Sequence, residues 1–279
     1  MSDLLARSSA HWSEAGRAGM EAFYRLATDD YRHLALARDW RALFEAAQAR
    51  AGDRPLRLLD VACGSGKFPN ALVRHGGLAD ACTHPVETAL LDPSAFSIAE
   101  ARAALPAPFR AVAEHETTLQ GFAPPPEGYD LVWATHALYA IPQAELEAAM
   151  ERFRSAIAPG GTGLIAHSAE AGHYIGFHRR FLAAFGPESA APYVSAEAIA
   201  QTLRAQGAQV EVQEVVYDSA AGPDEMAVVE GYLQRCVFDE RASLAEMQVT
   251  APLADYLAGC RRPEGWRFHQ CVWLMTVSA

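Results

Sequence analysis

Residues 58–68 run an apolar segment into the tight turn Gly64-Ser65-Gly66, with a helix expected to begin near Pro69. Glycines suit a place where a ligand must touch the backbone, and the free N–H groups of a helix start favour an anionic group. A proline just inside the helix fits as well, because the first turn needs no donor from it. Two carboxylates sharpen the reading. Asp60 ends the first strand, where it would sit poorly against a pyrophosphate but well against the ammonium of a methionine moiety. Asp92 ends the second strand in Leu91-Asp92-Pro93-Ser94, where a carboxylate can accept both ribose hydroxyls. A dinucleotide fingerprint wants a third glycine where Pro69 stands, so S-adenosylmethionine is expected in preference to NAD.

The elements that must hold these residues alternate along the chain. Short apolar runs at 56–61, 89–91, 109–113, 131–134 and 163–166 read as strands, and 69–75, 94–104 and 143–158 as the helices between them. Such alternation means a parallel sheet covered on both faces. A helix at 173–185, a helix and strand at 195–206 and 209–217, a helical region at 223–259 and a closing strand at 268–277 follow. Ser195 with Glu197 looks like a helix start and Gly207 like its stop. The first fifty residues carry helical spacing through Trp12, Met20, Phe23, Tyr24, Trp40 and Phe44, with no strand signal. The expected fold class is α/β, a Rossmann-like sheet with the N-terminal helices and helical insertions forming a lid. One domain covers 1–279, divided into a helical cap (1–54), a cofactor-binding core (55–168) and substrate-side insertions with closing strands (169–279).

Composition removes several partners. A formal charge of −11, with Lys67 the only lysine, disfavours duplex nucleic acid and anionic membrane surfaces, which reward clustered cations. There is no basic leader followed by an apolar run and no stretch near the roughly 20 apolar residues that span a bilayer, so a cytoplasmic location is expected. Five widely spaced cysteines without a C-x-x-C pair read as buried thiols, and no His/Asp/Glu cluster has ligand spacing for a metal. The sequence carries no signal for an oligomeric state.

The chain resembles the class I S-adenosylmethionine-dependent methyltransferases in residues 60–66, in Asp92, in Tyr129-Asp130-Leu131-Val132-Trp133-Ala134-Thr135 and in Ala158-Pro159-Gly160-Gly161, the tight turn before the fifth strand. Within them it is most similar to the histamine N-methyltransferase group, through 91–95, 115–118, 138–142 and the closing strand behind a helical insertion. The resemblance implies a seven-stranded sheet with its last strand antiparallel, and a cofactor held by Gly64, Gly66, Asp92, Ser97, Thr118 and Thr135 beside Asp60. It implies an acceptor pocket from Phe23, His136, Tyr139 and Gln270. Where the histamine enzyme has an acidic residue, an ungapped alignment places Arg32, which points to a small-molecule acceptor with an anionic group; a one-turn offset brings in Asp29 or Asp30 instead.

Methyl transfer from a sulfonium is an in-line displacement, in which the enzyme orients the reactants and excludes water. If the acceptor must lose a proton, His136, His167 and His173 are candidate bases, with His136 and Tyr139 the first choices and His167 a further substrate contact; packing is the alternative for each, and the favoured one for His167, His173 and Tyr139. The aromatic set Phe23, Tyr24 and Tyr31 fits a core stripe or a substrate lid. A non-catalytic cofactor-binding module and, less favoured, an NAD-dependent oxidoreductase are the competing readings.

Overall fold

The computed structural model describes residues 3–79, 82, 84–187 and 190–278 of the chain. In order these form α1 (Asp3–His11), α2 (Arg17–Leu36), α3 (Trp40–Ala51), β1 (Leu56–Val61), α4 (Lys67–His75), β2 (Val86–Asp92), α5 (Ala95–Ala104), β3 (Phe109–Glu116), β4 (Tyr129–Thr135), α6 (Leu146–Ser155), β5 (Ile157–Ser168), α7 (His173–Phe185), α8 (Ala196–Ala205), β6 (Gln209–Ala221), α9 (Met226–Cys236), α10 (Leu244–Met247), α11 (Leu253–Cys260), β7 (Arg261–Arg262) and β8 (Gly265–Ser278).

β1, β2 and β4 are buried almost throughout because both faces of the sheet are covered at the centre. On one face α6 and α8 bury Leu146, Met150, Phe153, Ile199 and Leu203 against Leu59, Val132 and Ile165. On the other, Trp133 fills the space among Phe44, Phe68 and Phe109, with ring centroids 5.1 to 6.4 Å away. A third apolar cluster joins α7, α9, α10 and α11 around Phe177, Tyr232, Trp266 and Phe268.

The strands lie in the order β3-β2-β1-β4-β5-β8-β6. β1 to β5 are parallel, and β8 runs antiparallel to both β5 and β6. The seven-stranded, Rossmann-like sheet with its last strand antiparallel is as expected; the two-residue β7, hairpinned to β8, adds an eighth strand off the main path. Strand order reverses between β1 and β4, and the crevice beyond their carboxyl ends is where such sheets bind ligands.

Three expectations need correction. The helix expected over 143–158 is a short 3₁₀ turn (Gln143–Glu145) followed by α6, and residues 157–161 belong to β5. Pro159 cannot continue a helix. The expected turn at 158–161 is instead an irregularity inside the strand: Tyr129 pairs with Ile157, and the next pair is Leu131 with Thr162. Gly160 there has φ +75°, and a Cβ on Gly161 would come within 2.9 Å of the Tyr129 carbonyl. The helical region 223–259 is broken into three: Phe238 at φ +50° and the capping box of Ser243 with Glu246 separate α9 from α10, and residues 248–252 separate α10 from α11. Among the described residues no helix is long and apolar enough to cross a membrane.

Candidate functional site

The chain leaves β1 through a left-handed turn with Ala62 at φ 50°, Gly64 at 52° and Gly66 at 66°. Asp92, at the end of the neighbouring strand, ties this turn to its own loop: Oδ2 accepts the Gly64 N–H at 3.2 Å and Oδ1 the Ser94 N–H at 2.9 Å. Gly66 heads α4, and a Cβ placed on it would stand 3.2 Å from the Ala101 carbonyl of α5. Its smallness therefore serves the α4–α5 contact as well as the turn. Gly66→Ala, strained at positive φ and crowded, is expected to lower stability by about 1–3 kcal/mol; denaturant unfolding with an unchanged midpoint would contradict this.

Above the turn lies one cavity with about 1440 Å³ of empty space, its open mouth included. Its floor is Asp60, residues 61–65, Asp92, Pro93, Ser94 and Thr118; its far wall is Thr135, residues 136–141, Tyr174 and Tyr193. The roof comes from the N-terminal helices through Trp12, Phe23, Tyr24, Asp30 and Tyr31, and from α9 through Arg235. Roof and floor are laced together. Ser65 Oγ donates to Tyr24 Oη at 3.0 Å, Ser94 Oγ to the Trp12 carbonyl at 2.8 Å, and the Lys67 ammonium lies 4.7 Å over the Tyr24 ring.

Three carboxyls face this cavity deeply buried: Asp30 at 2% exposure, Asp60 at 3% and Asp92 at 7%. Burial pushes Asp60 up to about 7, and Asp92 to about 6 against the pull of its two N–H donors. Burial also lifts Asp30 to about 7, opposed by the Tyr174 hydroxyl, which donates to Oδ2 at 2.6 Å. The Tyr217 and Ser219 hydroxyls also lie against the Asp30 carboxyl and pull its pKa down, although Oδ1 meets neither at full hydrogen-bond geometry. Asp60 has no ion-pair partner among them, so a cationic ligand fits beside it.

Raised carboxyl pKa values have a consequence for the empty chain. The folded state keeps protons that the unfolded state releases above the ordinary value of 3.8. The stability this confers is complete below that value and is lost as pH rises through about 7. Asp60→Asn removes one such group, so its thermal midpoint relative to wild type should climb from about pH 4 to about pH 7. A difference independent of pH, measured by melting without ligand, would contradict the burial assigned to Asp60.

Of the residues expected from the sequence, Phe23, Asp60, Gly64, Asp92, Thr118, Thr135, His136 and Tyr139 line this cavity. Ser97 and Gly66 do not: the Ser97 N–H caps α5 through Ser94 Oγ, one turn behind the wall. Arg32 is half-exposed and bonded to Asp29 at 3.2 Å, pointing off the cavity. Gln270 is fully buried and donates to Ser219 Oγ and Tyr232 Oη, both at 3.1 Å, which ties β8 to β6 and α9. His167 lies behind the wall, its Nε2 donating to the Val194 carbonyl at 2.9 Å and its ring packed 4.0 Å from that of Tyr139. His173 is bonded to Tyr256 and packed on Tyr232, also outside the cavity. Burial depresses the pKa of both, to about 4 for His167 and about 3 for His173, leaving them neutral.

Sequence reading missed Trp12, Tyr174, Tyr193, Arg235 and Phe238 as wall residues, and reached Asp30 only as the product of an alignment offset. Phe23, Tyr24 and Tyr31, read as either core or lid, stand in the roof.

A family profile described as a methyltransferase domain matches residues 30–213. A search of curated protein sequences finds no significant match. Among solved structures, a Bacillus halodurans protein described as a candidate methyltransferase is similar at TM-score 0.53 and 15% identity, over 84% of this chain and 97% of its own. Magnesium protoporphyrin IX methyltransferase of Synechocystis PCC 6803, solved with bound S-adenosylmethionine, is similar at TM-score 0.51 and 12% identity, over 100% of this chain and 99% of its own. Its form with bound S-adenosylhomocysteine gives TM-score 0.52 and 12% identity, over 99% and 100%.

Proposed function

Since the chain belongs to the methyltransferase domain family, we propose that it takes S-adenosylmethionine as its cofactor and methylates a small molecule bound in the same cavity, at an amine or hydroxyl. The observation that carries this reading is the continuity of that cavity, from Asp60 and Asp92 at the switch point to Asp30, His136 and the aromatic wall. When bound, the cofactor supplies a methyl group activated by its sulfonium charge. The chain's residues do the rest. Asp92 is suited to accept the ribose hydroxyls and Asp60 to meet the ammonium. Gly64, Thr118 and Thr135 line the same end, while the aromatic roof and Tyr174 exclude water.

Likeness to the histamine N-methyltransferase group bears on the acceptor. Arg32 points away from the cavity, so the anionic acceptor inferred from it loses its support. Asp30 lines the cavity instead, a buried carboxyl beside the Tyr174, Tyr217 and Ser219 hydroxyls, and it suits an amine or another hydrogen-bond donor. Arg32→Ala should therefore leave kcat/KM within roughly twofold of wild type, as for an exposed charge; a larger loss would return Arg32 to the site.

The reading is tested by incubating the full chain with methyl-labelled S-adenosylmethionine and a panel of small amines, phenols and carboxylic acids. Label transfer favouring molecules with a basic nitrogen or a hydroxyl supports it. Cofactor binding with no transfer to any class would favour a cofactor-binding module.

A further inference from the structure

Two residues of the cavity wall each keep a buried polar atom without a hydrogen-bond partner among the described residues: His136 Nε2 and Tyr193 Oη. What His136 offers there depends on which ring nitrogen carries its proton, and that is decided at the other end of the ring. His136 Nδ1 lies 2.9 Å from Tyr139 Oη, and the same oxygen accepts the Ser168 N–H at 3.3 Å. The Tyr139 hydroxyl has one hydrogen and no further hydrogen-bond partner among the described residues. Were Nδ1 protonated, it would donate to that oxygen, and the hydroxyl hydrogen would be buried without an acceptor, a costly arrangement. With Nδ1 bare, the hydroxyl donates to it and both groups are satisfied.

The surrounding structure holds this pair still. His136 sits at φ 52° with its own N–H donating to the Ala166 carbonyl at 2.8 Å. The Tyr139 ring packs on His167, which is itself anchored to Val194.

We infer that Tyr139 is a positioning residue: it takes the Ser168 N–H, donates to His136 Nδ1, and so holds His136 in the Nε2–H tautomer, presenting an uncharged N–H donor to the methyl acceptor. Burial, with His167 alongside, keeps the imidazole neutral by lowering its pKa to about 3. His136 thereby loses the general-base role expected from the sequence, because the nitrogen facing the acceptor already carries its proton. The acceptor that fits has two unlike ends. One is a lone-pair atom, such as a carbonyl, an ether or an unprotonated ring nitrogen, for His136 Nε2–H; the other is an N–H or O–H for the Asp30 carboxyl that lines the same cavity. This description of the acceptor rests on the proposed methyl transfer, whereas the tautomer is a property of the free chain, so the two can fail separately.

The test is a long-range ¹H–¹⁵N correlation spectrum of the ¹⁵N-histidine-labelled full-length chain without ligand, with His136 identified by the signals lost in His136→Gln. The expected spectrum has a pyrrole-like Nε2 and a pyridine-like Nδ1, unchanged from about pH 5 to about pH 8. In Tyr139→Phe, checked for folding by thermal melting, the ratio of the two tautomers should move toward parity by roughly tenfold or more. A protonated Nδ1 in the wild type, or an unchanged ratio in the variant, overturns the inference. Should the variant fail to fold, the wild-type spectrum alone decides. Titration with S-adenosylhomocysteine, run separately, reports on the cofactor reading without touching the tautomer.

Discussion

Asp92→Ala is expected to weaken S-adenosylhomocysteine binding by at least about 100-fold, measured by calorimetric titration, because hydrogen bonds to a charged group contribute roughly 1.5–3 kcal/mol each and 1.4 kcal/mol is tenfold. Asp92 is suited to accept two of them from the ribose hydroxyls. The substitution also frees the Gly64 and Ser94 N–H groups that this carboxylate holds, and so loosens the turn that presents the cofactor. Asp92→Asn keeps an acceptor and the side-chain shape, and should fall between the two. Affinity for the alanine variant within threefold of wild type would mean that the ribose does not lie against Asp92.

Asp30→Asn is expected to lower kcat/KM for the acceptor by about 100-fold at neutral pH, as for truncation of a charge-assisted bond in a buried site. Affinity for S-adenosylhomocysteine should hardly change. The wild-type profile should rise with pH through the Asp30 carboxyl near 7, because the carboxylate is the form that receives an ammonium or a proton. That limb should vanish in the variant. The Tyr174 hydroxyl can still donate to the asparagine carbonyl, so the fold is not expected to suffer. A variant with a wild-type profile would remove Asp30 from the acceptor site.

These two carboxylates differ in how legible they were in the sequence, and the reason is physical. Asp60 and Asp92 end strands whose apolar runs and following turns are local patterns, so β1, its glycine turn and the carboxyl end of β2 could be placed without tertiary information. Asp30 and Arg32 lie on one helix, and two residues of helix are about 200° of rotation. An alignment off by that much exchanges the face over the cavity for the face in solvent, and Arg32 was read where Asp30 stands. Gln270 was placed correctly on the closing strand, but its partners Ser219 and Tyr232 come from elements whose approach only the folded chain reveals. Tyr174, Tyr193 and Arg235 reach the wall from insertions more than thirty residues beyond β4, with no periodicity to mark them. The helix expected over 143–158 ran too long because helical spacing continues through its last turn, and the backbone of β5 claims residues 157–161 all the same.

The most direct test of the central claim is calorimetric titration of the wild-type chain with S-adenosylhomocysteine and, in parallel, with NAD. Micromolar binding of the first and none of the second is the expected result. Silence for S-adenosylhomocysteine, or binding of NAD in its place, would contradict the assignment of the crevice at Asp60 and Asp92 to a methyl-donor nucleoside.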